Sequence, residues 1–148
     1  MGADTSSTHL IFFIAALVLA ASVVGVVFVN FNSISNAALE GGNRLSKQLK
    51  TDITIISDPA NIPNSSGNYT FYVKNTGRIT LAPEHVTVLI NGIVIPDSGV
   101  NKTVIGGSTV WRPSDVLQLN VTYLIPSGDN SIKVVTEHGI DDTMEFIT

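Results

Sequence analysis

One segment constrains this chain more than any other. Leu10 to Val29 reads LIFFIAALVLAASVVGVVFV, without a charge, a proline or an amide. Wound as an α-helix at ~1.5 Å per residue, it reaches roughly 30 Å, the thickness of a bilayer's hydrocarbon core. Fourteen of its residues are Leu, Ile, Phe or Val, and each contributes about −0.3 to −0.6 kcal/mol near the centre of an inserting helix. A chain of 148 residues has too little mass to wrap this segment in a core of its own. The reading is a membrane helix that carries one further domain.

Residues 1–9 form a short polar N-terminal cap whose only charged side chain is Asp4. A secretory signal wants a basic n-region, a shorter apolar core and a small-x-small cleavage site. Cleavage after Ala20, Ala21 or Ser22 is therefore the disfavoured alternative. Thr5, Ser6, Ser7 and Thr8 are N-cap candidates for the orphan amides of a helix start. Within the run, Leu10, Phe12 and Phe13 are expected to face lipid or a neighbouring helix. Ala16 and Ala20 are four apart, as are Ala21 and Gly25. Such small-xxx-small pairs let backbones approach closely in lipid, although Ala and Gly are also common in any membrane helix.

Beyond the membrane edge Phe31, Ile34, Ala38, Leu45 and Leu49 recur at helical spacing. They predict an amphipathic stem that completes a helical region over residues 10–50. Gly41-Gly42 weakens it by about 2 kcal/mol relative to alanine. The pair reads either as a hinge or as a helix end followed by a second short helix.

From Thr51 the period switches to two. Strands are expected at Ile53–Ile56, at Tyr69–Lys74, and at His85–Ile90 with Ile93–Ile95. Asn91-Gly92 between the last two signals a type I′ hairpin, because both central residues need positive φ. Further strands are expected at Lys102–Ile105, at Thr109–Trp111 as a pair or bend with it, at Val116–Leu124, Ser131–Glu137 and Asp142–Ile147. Short strands with turn signals every ~8–12 residues, and no crossover helix between them, indicate an antiparallel sandwich over residues 51–148. The fold class is α+β: a long N-terminal, pilin-like transmembrane helix followed by an immunoglobulin-like β-sandwich.

Several chemistries find no support. The net charge of −4 leaves no basic footprint for nucleic acid, and the absence of Cys removes thiolate ligands, disulfides and Cys nucleophiles. His9, His85 and His138 show neither metal-ligand spacing nor a triad arrangement. Asp141, Asp142 and Glu145 near His138 read as an acidic turn rather than a cation site. Gly106-Gly107 lacks the lysine of a phosphate cradle, and Trp111 reads as a core residue. No catalytic, metal-binding or cofactor-binding residue is expected, and no enzyme activity.

Four sequons, at Asn64, Asn68, Asn101 and Asn120, offer N-glycosylation acceptors. They favour a domain outside the cell, as does the acidic balance of residues 51–148, with five basic side chains against ten acidic ones. Arg44, Lys47 and Lys50 point the other way under the positive-inside rule, but they begin ~15 residues past the span, at the limit of its reach.

The ordered combination of Phe12–Val27, Leu45–Lys50 followed by Asp52–Pro59, and Tyr69–Gly77 (YTFYVKNTG) resembles the archaeal flagellin (archaellin) class, more narrowly the accessory G-type and F-type proteins of the archaellum. The pieces fit the G type better. The resemblance implies a non-enzymatic stator component of the motility motor. Its helix would insert in the membrane and associate with like helices; its sandwich would lie between membrane and S-layer, with an F-type protein and the S-layer as partners. Archaellins carry a basic residue before a peptidase site ahead of the apolar run. Met1 to His9 has none, which suits an uncleaved accessory protein better than a filament subunit.

Overall fold

The computed structural model describes residues 2–148, with side chains described from Ser6 onward. A single helix, α1, runs from Gly2 to Lys50. It begins at the first described residue, so Ser6, Ser7 and Thr8 lie within its first turns instead of capping it; the side chain of Thr5 lies outside the described set. Gly41 and Gly42 are helical as well. The alternative of a helix end and a second short helix is therefore corrected: the intrinsic cost of two glycines does not outweigh the hydrogen bonds of the turns on either side.

The chain divides into two compact units, Met1–Asn43 and Arg44–Thr148. In the first unit the apolar run is exposed on every side, with Phe12 at 71% and Leu19 at 67%. Ser22 and Ser33 turn their hydroxyls back onto the carbonyls of Val18 and Val29, at 2.8 and 3.0 Å. Their polarity is thereby satisfied within the helix.

The second unit begins with the last turns of α1 and continues into nine strands: β1 (Ile53–Ile55), β2 (Asn64–Ser65), β3 (Asn68–Asn75), β4 (Thr87–Ile90), β5 (Ile93–Ile95), β6 (Val100–Val104), β7 (Val116–Thr122), β8 (Asp129–Val135) and β9 (Asp141–Ile147). They form two antiparallel sheets. One has the order β1-β3-β7-β6, with β2 also paired to β3; the other runs β5-β4-β8-β9. Together with α1 they make an α+β chain.

Alternation explains the core. Tyr69, Phe71 and Val73 on β3 face Leu117, Leu119 and Val121 on β7 in register, and all are buried. From the opposite sheet come Val88, Ile90, Ile132, Val134 and Phe146. Phe71 and Phe146 meet edge to face across the core, with centroids 5.2 Å apart, a favoured aromatic geometry. Trp111 is fully buried, and its indole N–H donates to the Asp115 carbonyl at 3.0 Å.

Local readings shift in four places. β7 ends at Thr122, short of the expected Leu124, which is 92% exposed. Thr109–Trp111 forms no strand beside β6; Trp111 instead bridges Leu81. His85 lies in a 3-10 turn, Pro83–His85, because the ring of Pro83 starts that turn. Ile56 projects outward at 49% exposure, past the end of β1. The Asn91-Gly92 turn forms as expected, with φ of 50° and 79°, and Asn91 Oδ1 accepts the Ser131 amide at 2.8 Å.

Candidate assembly surfaces and the helix–sandwich junction

At ~100° per residue, the small residues of the apolar run fall on two sides of the helix, not one. Ala16 and Ala20 lie within about 40° of each other, and Ala21 and Gly25 lie roughly 140° further round. Phe31, Ile34 and Ala38 return to the Ala16/Ala20 side, within an arc of about 60°. A continuous stripe of small and then apolar residues thus runs along the first unit. Gly25 has nothing within 4 Å of a Cβ position, so no contact within the chain requires it. Leu10, Phe12 and Phe13 are exposed.

In the second unit the end of α1 is fastened into the sheet. Thr51, buried at 5%, donates its amide to the Lys47 and Gln48 carbonyls and its hydroxyl to Lys47 O at 2.8 Å. These bonds satisfy carbonyls that a helix end leaves orphaned. The Arg78 amide takes the Lys50 carbonyl at 2.8 Å, and the Thr76 and Gly77 amides both take Asp52 O. Gly77 sits so close that a Cβ would meet Asp52 N and Lys50 O, each at 2.6 Å. Asn75, 1% exposed, holds this loop. Its Nδ2 donates to Ile79 O at 2.9 Å and Trp111 O at 3.0 Å, while its Oδ1 accepts the Gly77 amide at 3.0 Å. No sequence pattern marks Asn75; its role emerges only from its burial in the structure.

Arg44 and Lys47 line an open hollow of about 350 Å³ with Gln48, Glu137 and His138. Gln48 Nε2 donates to the His138 carbonyl at 3.1 Å. The acidic turn is dispersed into separate contacts. Asp141 pairs with Lys133 at 2.9 Å, and Asp142 Oδ2 accepts the outward Ile55 amide at 2.8 Å. The last bond ties the edge of one sheet to the other and blocks further pairing on β1. Among the described residues no group of three or more His, Cys, Asp or Glu could hold a metal ion. On β6, Lys102 buries its stem beneath the sheet and holds Asp97 at 2.7 Å. That hydrogen bond, together with the ammonium charge, lowers the Asp97 carboxyl below its ordinary value.

The sequons take up a pattern that the sequence does not show. On the outer face of the five-stranded sheet, Asn68 stands opposite Thr122, Thr70 opposite Asn120, and Asn101 opposite Asn120. Three sequons therefore share one face, each on its own strand. Asn120 Oδ1 accepts from both Thr70 Oγ1 and Gln118 Nε2, each at 3.0 Å. Asn68 is half-buried, and its Oδ1 is enclosed without a partner. Asn101 is exposed on the edge strand, its Oδ1 accepting the hydroxyl of its own Thr103 at 3.2 Å. Asn64 is exposed at the β2–β3 hairpin, where its Oδ1 accepts the Gly67 amide at 3.0 Å.

The model of the family described as archaeal-type flagellin matches residues 3–146. The chain belongs to the archaeal-type flagellin family. Two relatives in this family are described as flagella-related protein G. That of Methanococcus voltae is 36% identical over 141 residues, covering 92% of this chain and 92% of its own. That of Methanocaldococcus jannaschii is 32% identical over 142 residues, covering 93% of this chain and 92% of its own. Among solved structures, the archaellum periplasmic stator protein FlaG from Sulfolobus acidocaldarius is similar at 22% identity and a TM-score of 0.49, covering 65% of this chain and 99% of that one. A chain of the FlaF and FlaG stator complex from the same organism is similar at 23% identity and a TM-score of 0.45, covering 64% of this chain and 87% of that one. The resemblance read from Phe12–Val27, Leu45–Lys50 with Asp52–Pro59, and Tyr69–Gly77 is borne out at the level of the archaeal-type flagellin family and its G-type members.

Proposed function

We propose that this chain is a non-enzymatic, membrane-anchored structural component of the archaellum, acting as a G-type stator subunit. One observation carries the reading: the match to flagella-related protein G relatives runs through helix and sandwich alike, covering 92% of the Methanococcus voltae protein. The helix spans the membrane once through Leu10–Val29, and the sandwich lies outside the cell, between membrane and S-layer. Its partners are an F-type archaellum protein and, through it, the S-layer. Like helices associate along the stripe that begins at Ala16 and Ala20, while Ala21 and Gly25 offer a second close approach on the far side. Support for the external placement comes from the sequons at Asn64, Asn68, Asn101 and Asn120 and from the acidic sandwich.

Cross-linking in native membranes, followed by affinity purification of the full chain, tests this reading. Recovery of an F-type partner is the expected result. Recovery of long homopolymers whose N-terminus has been processed ahead of the apolar run would overturn it in favour of a filament subunit.

A further inference from the structure

We propose that Asn64 and Asn101 are the N-glycosylated residues of this chain, and that Asn68 and Asn120 stay unmodified. The inference rests on the external placement of the sandwich and narrows four sequons to two by geometry. An acceptor asparagine must present Nδ2 to an enzyme and then carry a bulky, solvated group. Asn64 and Asn101 are exposed, one in a hairpin and one on an edge strand. In both, Oδ1 already accepts a local hydrogen bond, from Gly67 N or Thr103 Oγ1, which the modified amide would retain.

The two inner sequons are built differently. Asn120 lies on β7, between β3 and β6, and its oxygen organises Thr70 and Gln118. Thr70 is also the hydroxyl of the Asn68 sequon, so that hydroxyl is committed across the sheet. Asn68 has its own oxygen enclosed. Asn101 and Asn120 are direct cross-strand partners, with Cβ atoms roughly 5 Å apart, so two glycans there would collide at their first sugars. The edge residue is the one with room.

The step itself needs a lipid-(pyro)phosphate-linked oligosaccharide as donor and a membrane oligosaccharyltransferase. The Nδ2–C1 bond forms as the C1–O bond to phosphate breaks. The lipid (pyro)phosphate leaves with the electron pair, and the amide gives up one proton.

Glycopeptide mass spectrometry of the full chain from its native membrane tests the assignment, alongside Asn→Gln variants at each of the four positions. Asn64→Gln and Asn101→Gln should each remove one glycan mass, whereas Asn68→Gln and Asn120→Gln should remove none. A glycan on Asn68 or Asn120, or its absence from Asn64 or Asn101, overturns the proposal. The chain has no Cys, so a Ser127→Cys variant reports topology independently through a membrane-impermeant thiol reagent. Labelling of intact cells without any glycan would sink the site assignment but leave the external placement standing. Labelling only after lysis would remove the external placement, and the assignment with it.

Discussion

Replacing Asn75 by alanine should cost the sandwich about 3 kcal/mol, although no sequence pattern marks this residue as structural. Three side-chain hydrogen bonds disappear, to Ile79 O, Trp111 O and Gly77 N. Each is worth ~1 kcal/mol net, and buried groups left without partners push the loss upward. In a domain of this size, ~1 kcal/mol moves Tm by about 4–8 °C, so a fall of roughly 12–24 °C is expected. Asn75→Asp is the sharper test. It keeps an acceptor for Gly77 but aims a buried carboxylate at two carbonyl oxygens, so near pH 7 it should destabilise more than alanine does. Burial and the carbonyls raise the folded-state pKa of the introduced acid. The penalty should therefore shrink as pH falls and the protonated acid regains a donor. Urea titration of the full chain in detergent micelles, followed by the fluorescence of buried Trp111, reads the midpoint directly. An Asn75→Asp variant within about 0.5 kcal/mol of the wild type at neutral pH would refute the reasoning, because no lost donor then matters.

Gly77→Ala should destabilise by ~2 kcal/mol through overpacking, since the new Cβ would meet backbone at 2.6 Å; an unchanged urea midpoint would contradict this close approach. For helix association, Ala16→Leu with Ala20→Leu should reduce cross-linked oligomers in nanodiscs more than Ala21→Leu with Gly25→Leu, because only the first pair continues into the stem stripe. Equal oligomer yields from both double variants and the wild type would remove the helix from the assembly. The Asp97 carboxyl is held below its ordinary 3.8 by the Lys102 hydrogen bond and charge. Its small stabilising contribution is present above the ordinary value and lost as pH falls through the lowered one. Lys102→Met should return the Asp97 carboxyl titration, followed by NMR, to the ordinary range; an unshifted curve would argue against the pairing.

The apolar run, the switch of period at Thr51, the Asn91-Gly92 hairpin and the buried Trp111 were legible in the sequence because each is a local signal. A hydrophobic length, an alternation, a turn dipeptide and a lone tryptophan in a small domain all declare themselves without a partner. The end of α1 at Lys50 was legible as well; the way that end is fastened to the sheet, the role of Asn75 and the convergence of sequons were not. Each depends on register between strands far apart in the chain, such as Asn75 reaching Trp111 or Asn101 facing Asn120. Pattern also misplaced Thr109–Trp111. Its β-branched and aromatic residues suit a strand, but Trp111 is taken by Leu81 from the other side. The spacing of the small residues gives two pairs, and only counting turns places Ala16/Ala20 and Ala21/Gly25 on different sides of the helix.

The passage from helix to sheet leaves no slack. Lys50 O, Thr51 N and Asp52 O are each engaged in a backbone hydrogen bond, and β1 begins at Ile53. A load arriving through the last turns of α1 therefore meets several backbone hydrogen bonds side by side, not a compliant linker. Thr51 is bonded back to the helix end, and the 76–78 loop ties Lys50 and Asp52 to β3, the strand at the heart of the larger sheet. Within the second unit, the helix end and the first strand are thus held by backbone hydrogen bonds acting in parallel, with no free loop between them to stretch first.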